Sequence, residues 1–417
     1  MGVLAITGGK PLSKNGYKIK WPIVTEADVK AAERVARSGA WWRYDGKEVE
    51  KFEQEFARYH DARYALGVSN GTVAIEIALR ACGIEAGDEV IVPAVTFIAS
   101  ASAVLMTQAI PVFADILEDT CQIDPADIES KITPRTKAIV MVHYGGYPVD
   151  MDAIMKIARK HKIRVIEDCA HAQGSEWKGR KVGAIGDIGT FSFQQSKSLT
   201  CGEGGAVVTN SEELYNKAYA YHHIGRSLGS EKYEHTIVGP NYRITEFQGA
   251  ILRTQLRKHS AQTERRMRNG DILSRQIEDI PGLYPLKKDA RVTRRGYYFY
   301  ILRFKEQEFG ISRELFLAAI AAEGAPLVKG YDMPVYQLPA FREMSFGRTG
   351  CPLTCDHYGG DMNYAEVVCP IAEEVSRKQH ITILNDILLQ ESNIRLIASA
   401  AQKVYANRTE LAAFDNQ

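Results

Sequence analysis

Between residues 64 and 209, short apolar runs alternate with helix-length segments, and no other feature limits this chain's fold as strongly. The runs are 64–68, 90–92, 110–113, 138–142, 164–166, 190–193 and 206–209. Helical patterns lie between them at 72–82, 98–106 and 151–161. Repeated strand–helix units predict an α/β domain whose largely parallel sheet is covered by helices on both faces. Upstream, residues 27–60 read as helix broken at Ser38-Gly39, with Val49, Phe52, Phe56 and Tyr59 on one face.

The pattern changes after about residue 245. A long charged amphipathic helix over 245–280 reads as a connector, followed by a strand over 297–304 and a helix over 313–323. Residues 340–365, rich in Gly, Cys and Tyr, read as a long loop before terminal helices. A smaller α+β C-terminal domain is therefore expected, with the division at 1–260 and 261–417 and the N-terminal arm in the first part.

Residues 90–114 carry no charge and are long enough to span a bilayer. However, Pro93, Thr96, Ser100, Ser102, Thr107, Gln108 and Pro111 interrupt the stretch, which reads as strand, helix, strand inside the protein. Lys and Arg number 52 and Asp and Glu 51, so a net charge of +1 gives no general pull toward nucleic acid or anionic membrane. Arg265-Arg266-Met267-Arg268 reads as a solvated helix face. Seven irregularly spaced cysteines do not suggest a disulfide framework. Cys351 and Cys355 have half a metal site's spacing but no second pair, so no metal is expected. The first residues lack a basic start and a long apolar run, which fits a reducing cytoplasm.

Three constellations carry chemistry. Ser69-Asn70-Gly71-Thr72 follows a strand and opens a helix, where free N–H groups and a hydroxyl make an anion site or, equally, a plain helix cap. The strand 164–166 runs into Glu167-Asp168-Cys169-Ala170-His171, so a carboxylate stands at a strand's C-terminal edge, where open α/β sheets bind ligands. Such an acid can hold a pyridinium nitrogen protonated, or be a structural cap. Ser192-Phe193-Gln194-Gln195-Ser196-Lys197 precedes Gly202-Glu203-Gly204-Gly205. A lysine crowded there loses its proton more easily and becomes a nucleophile, although most lysines are merely solvated.

Taken in this order and spacing, the three resemble the DegT/DnrJ/StrS family of pyridoxal-phosphate aminotransferases. Further matches are Gly87-Asp88-Glu89-Val90-Ile91-Val92-Pro93, Thr96-Phe97, Pro111-Val112-Phe113-Ala114-Asp115, Thr133-Pro134-Arg135-Thr136-Lys137 and Gly239-Pro240-Asn241-Tyr242-Arg243. The resemblance implies fold type I of the pyridoxal-phosphate (PLP) transferases: a large domain on a mostly parallel seven-stranded sheet, and a smaller C-terminal domain. It also implies roles. Lys197 would carry the cofactor and move the proton, Asp168 would face the pyridine nitrogen, and His171 would lie near the 3-hydroxyl. Phe97 would stack on the ring. Gly71, Thr72 and Ser192 would form the phosphate cup, and Asn241 would reach the phosphate in the neighbouring subunit. An obligatory homodimer with shared active sites follows from that last role.

Gly330-Tyr331, Pro334-Val335-Tyr336 and Cys369-Pro370-Ile371-Ala372-Glu373 resemble the branch of glutamine:scyllo-inosose aminotransferases and 3-amino-5-hydroxybenzoate synthases, as does Ala5-Ile6-Thr7-Gly8-Gly9-Lys10-Pro11. That branch implies transfer of an amino group from L-glutamine or L-glutamate to a keto-cyclitol or keto-sugar in antibiotic or amino-sugar biosynthesis. Tyr331 is a candidate substrate contact on the same ground. Arg43 and Tyr44, in Trp41-Trp42-Arg43-Tyr44, are further candidates: a guanidinium among aromatics suits a carboxylate such as the donor's, or packs under a solvated arginine. Two other readings stand beside this one. A sugar-nucleotide aminotransferase of the same family would need cationic contacts for a diphosphate. A non-catalytic scaffold would have no need for the complete lysine, aspartate and cup.

Overall fold

The computed structural model describes residues 2–231 and 233–415. Helices α1 (Glu26–Ser38) and α2 (Glu48–Tyr59) lead in, parted by Gly39 at φ 67°. A capping box starts α1, with Thr25 and Asp28 each bonding the other's backbone N–H. Next come β1 (Tyr64–Val68), α3 (Gly71–Ala81), β2 (Glu89–Pro93), α4 (Ala99–Met106), β3 (Ile110–Ala114) and β4 (Thr136–Val142). The series closes with α5 (Met151–His161), β5 (Arg164–Asp168), β6 (Ile188–Ser192), β7 (Gly205–Thr209) and α6 (Glu212–His222).

The seven strands form one sheet in the order β1-β7-β6-β5-β4-β2-β3. Only β7 runs against the rest, pairing antiparallel with both β1 and β6. Every residue of β2, β3, β6 and β7 is buried, as the continuous apolar runs require of a sheet covered on both faces. The strand period sorts the core. Val90, Val92, Val140 and Ile166 pack with α3 and α4 on one face, while Ile91, Ile139, Met141 and Val165 pack with α2 and α5 on the other.

The connector α7 (Glu246–Gln276) is 31 residues long and starts from a Thr245–Gln248 capping box. Beyond it, β8 (Leu283–Pro285), β9 (Phe299–Phe304), β10 (Val328–Lys329) and β11 (His380–Leu384) form an antiparallel sheet in the order β8-β9-β11-β10. Helices α8 (Arg313–Ala322) and α9 (Glu391–Ala406) share a core with it around Phe304, Phe309 and Phe316.

Residue 260, where the division was expected, falls inside α7. The N-terminal arm lies on the C-terminal domain: Ala5 N and Leu12 N donate to the Glu323 carboxylate at 2.9 and 3.1 Å, and Leu4 enters that core. Conversely, Val335, Tyr336, Phe341 and Tyr364 join the core of the large sheet.

Of the other expectations, the loop over 340–365 and the strand, helix and strand over 90–114 hold, while the readings of the cysteine pair and of Arg266 are corrected. The loop over 340–365 is pinned to the large sheet, with Arg135 donating to the carbonyls of Tyr358 and Gly359, both at 2.9 Å. Within it Cys351 and Cys355 form a disulfide, so that pair is neither free nor half a metal site. Arg266 is not solvated: it is fully buried, and its Nε donates to Asn385 O at 3.1 Å, because α7 packs that side of the basic cluster against the turn that follows β11. Residues 90–114 form β2, α4 and β3, and among the described residues no helix is long and apolar enough to cross a membrane.

Candidate active site

The C-terminal ends of β1, β5 and β6 converge with the N-terminus of α3 and the start of β9 on one pocket of about 710 Å³. Asp168, the last residue of β5, forms its floor and is 4% exposed. Ser100 Oγ donates to one carboxylate oxygen at 2.8 Å and Ala170 N to the other at 3.1 Å. Burial pushes this carboxyl above the usual range, against the pull of the Ala170 N–H, Ser100 and the Lys197 charge.

Lys197 lies on the turn after β6, whose start is set by Lys197 N donating to Gln194 O at 2.9 Å. The side chain is half-buried, open to the pocket and enclosed behind. Desolvation brings its amine down to about 8, opposed by Asp168. Its Nζ lies 4.2 Å from the centre of the Tyr298 ring. His171 stacks on the same ring at 4.2 Å and 27°, and its Nδ1 accepts from Gly145 N at 3.4 Å. Burial, then the Lys197 charge, holds that imidazole well below its ordinary value, so it is neutral.

The anion cup forms where β1 turns into α3. Asn70 caps the helix, its side chain accepting from Val73 N at 3.0 Å. The N–H groups of Gly71 and Thr72 precede the first intrahelical bond and face the pocket without a helix carbonyl behind them. Ser192 closes the other side; a Cβ on Gly71 would stand 2.7 Å from its Cβ, which is why glycine is needed there. Phe97, 55% exposed, and Tyr331 complete the wall.

Three predicted residues stand elsewhere. Asn241 lies outside this pocket on an exposed segment bridged to His223. Tyr44 is bonded through its hydroxyl to that of Tyr219 at 2.8 Å. Arg43 is buried in an ion pair with Glu53 at 3.0 Å and contacts His222 Nε2 at 3.2 Å, which corrects both readings of it: the guanidinium is neither solvated nor free for a substrate carboxylate.

Sequence reasoning missed Ser100, Tyr242, Glu203 and Tyr298 as pocket residues. Ser100 follows Thr96-Phe97 by one helical turn, a spacing that marks it. Tyr298 carries no local signal, since a different domain delivers it. Among the described lining residues, Asp168, Glu203 and Lys197 are the charged groups, so Lys197 is the single cation. A second cavity of about 420 Å³, between residues 117–125 and 287–291, holds none of the predicted residues.

Known proteins resemble this chain in sequence and in fold. The sequence profile described as the DegT/DnrJ/EryC1/StrS aminotransferase family matches residues 22–387. An L-glutamine:2-deoxy-scyllo-inosose aminotransferase of Micromonospora echinospora is 36% identical, the match covering 99% of this chain and all of the relative. The crystal structure of a 3-amino-5-hydroxybenzoic acid synthase superposes with a TM-score of 0.83 at 33% identity, covering 94% of this chain and all of that one. DesI, solved in the presence of its TDP-sugar product, also gives 0.83, at 26% identity and 99% coverage of both chains.

Proposed function

The chain belongs to the DegT/DnrJ/EryC1/StrS aminotransferase family and is an aminotransferase, and on that premise we propose that it moves an amino group from L-glutamine or L-glutamate to a keto-cyclitol or a free keto-sugar, with pyridoxal 5'-phosphate held on Lys197. The observation that carries the reading is the meeting of Lys197, the buried Asp168 and an open helix N-terminus in one pocket.

The residues present fit the cofactor. Gly71, Thr72 and Ser192 offer N–H and hydroxyl groups to a phosphate in a cradle that a single Cβ would crowd. The enclosed Asp168 carboxylate, pushed up by burial, gains from a positive ring nitrogen against it. Neutral His171 suits a place beside the ring's hydroxyl. When bound, PLP supplies the electron sink for breaking a bond at the amino carbon. With PLP bound, Lys197 would take the proton released from the donor's amino carbon and return it at the cofactor's carbon, a task suited by an amine that burial brings down to about 8. Donor and acceptor use the pocket in turn, which is ping-pong.

Charge supports one acceptor class over another. A diphosphate wants cationic partners, and among the described residues that one chain gives to this pocket Lys197 is the single cation, against Asp168 and Glu203. An uncharged polyhydroxy ketone fits better, which agrees with what the Micromonospora relative's name says it acts on. We also propose a homodimer in which Asn241 reaches the partner's cup; its outward position and the neighbouring Val238, 97% exposed, support this.

The experiment is an absorbance spectrum of the PLP-loaded protein before and after L-glutamine. A band near the visible edge that moves to shorter wavelength supports the reading, and Lys197→Ala abolishes both band and turnover. No band after added PLP, or full activity of Lys197→Ala, overturns it. Turnover of a nucleotide-linked keto-sugar and none of a cyclitol ketone would replace the acceptor class.

A further inference from the structure

The chain enters β9 through Arg295-Gly296-Tyr297-Tyr298, and this short stretch is locked onto the large domain. Gly296 N donates to Gly146 O at 3.1 Å and to Ser175 Oγ at 2.8 Å. A Cβ on Gly146 would stand 2.5 Å from Tyr297 N and 2.8 Å from His171 O, so the two backbones touch there. Tyr297 takes φ 49°, the left-handed region that bulky residues rarely adopt. The consequence is a split between neighbours. Tyr297 goes into the C-terminal core, stacked with Tyr300 at 5.9 Å, and Tyr298 goes into the active-site pocket.

Tyr298 meets three parts of the site at once. Its ring carries His171 on a stack at 4.2 Å, its ring centre lies 4.2 Å from Lys197 Nζ, and its hydroxyl bonds Ser196 Oγ at 2.9 Å on the turn that holds Lys197. A strained residue beside a site is a place to look for function. We propose that Tyr298 is a positioning residue for both Lys197 and His171, supplied by the C-terminal domain, so that the amine is aimed only while that domain is docked. This rests on the reading of Lys197 as the reacting amine.

The groups facing Lys197 are Asp168 and His171 from the large domain and Tyr298 from the C-terminal domain, with Asp386 facing Tyr298 from behind. A ring face favours the charged amine. The test therefore uses cofactor-free protein, labelled with acetic anhydride across pH, with modification at Lys197 followed by peptide mass spectrometry. In Tyr298→Leu the labelling midpoint is expected to move to lower pH by about half a unit or more. Tyr298→Phe, which keeps the ring, is expected to keep the wild-type midpoint. A midpoint in Tyr298→Leu that is unchanged, or moves to higher pH, overturns the proposal. Tyr298→Met, close in volume and without a ring face, is read the same way if circular dichroism shows the leucine variant unfolded. Borohydride reduction of PLP-loaded wild-type protein tests the underlying reading separately: absence of an adduct at Lys197 removes that reading, while the labelling profiles still decide the contact with Tyr298.

Discussion

Glu167 and Asp168 are neighbours on one strand, both enclosed, yet their surroundings treat them differently. Burial disfavours the Glu167 charge, but His143 and the N–H groups of Gly183 and Gly186 bring its carboxyl below the usual range; Gly183 N, Ile185 N and Gly186 N donate at 2.7, 2.8 and 2.6 Å. Glu167→Gln would point an amide at those donors. The expected loss is about 3 kcal/mol of stability by urea unfolding, as for breaking a buried charge from its partners; a loss below about 1 kcal/mol would mean that the turn at 183–186 does not depend on the carboxylate. Lys197 makes a second case. Its amine sits at about 8 in the folded protein against an ordinary 10.5, so between those values the unfolded chain binds more protons. Stability of the cofactor-free protein therefore rises with pH across that window, and the cost of the buried charge is full below pH 8. Lys197→Met is expected to raise Tm at pH 7 by more than it does at pH 10, measured by calorimetry on cofactor-free protein. Equal gains at both would place the cost outside the amine's charge.

At the scale of elements, α3 matters more for its first turn than for its length. Asn70 uses its side chain on Val73 N, which leaves the N–H groups of Gly71 and Thr72 for an anion. Gly71→Ala places a methyl against Ser192. The expected result is at least tenfold weaker PLP retention, about 1.4 kcal/mol, with the helix itself intact by circular dichroism. Unchanged retention in a titration of cofactor-free protein would show that the phosphate binds elsewhere. The turn at 295–298 holds Tyr297 at φ 49° and so sends Tyr297 and Tyr298 into different parts of the molecule.

For the whole molecule, the test is whether two chains share one site. Lys197→Ala and Asn241→Ala fail in different halves of the proposed composite site. Unfolding and refolding an equal mixture gives half heterodimers, each with one intact site of two, so about a quarter of wild-type activity should return. No activity above that of the two parents would show that each chain works alone.

The alternation of apolar runs and helices was enough to predict a largely parallel α/β sheet, and the family resemblance its seven strands, because a buried strand announces itself locally through side chains that must leave water on both faces. The placement of Gly71, Thr72, Asp168, Ser192 and Lys197 in one pocket was implied by the family resemblance, and the fold supplies a reason: each ends or follows a strand of that sheet, and parallel strands deliver their C-terminal ends to one edge. Tertiary structure decided the rest. Arg43 looks like a substrate clamp until Glu53, on the neighbouring helix, is seen to pair with it. Arg266 looks solvated until α7 packs against the turn that follows β11. The pairing of Cys351 with Cys355 depends on a turn that spacing alone does not announce. Tyr298 belongs to the pocket only because the C-terminal domain docks there. The partners of Arg266 and Tyr298 lie 119 and 102 positions away, and such contacts depend on how whole elements pack, which leaves no periodic trace in the chain between them.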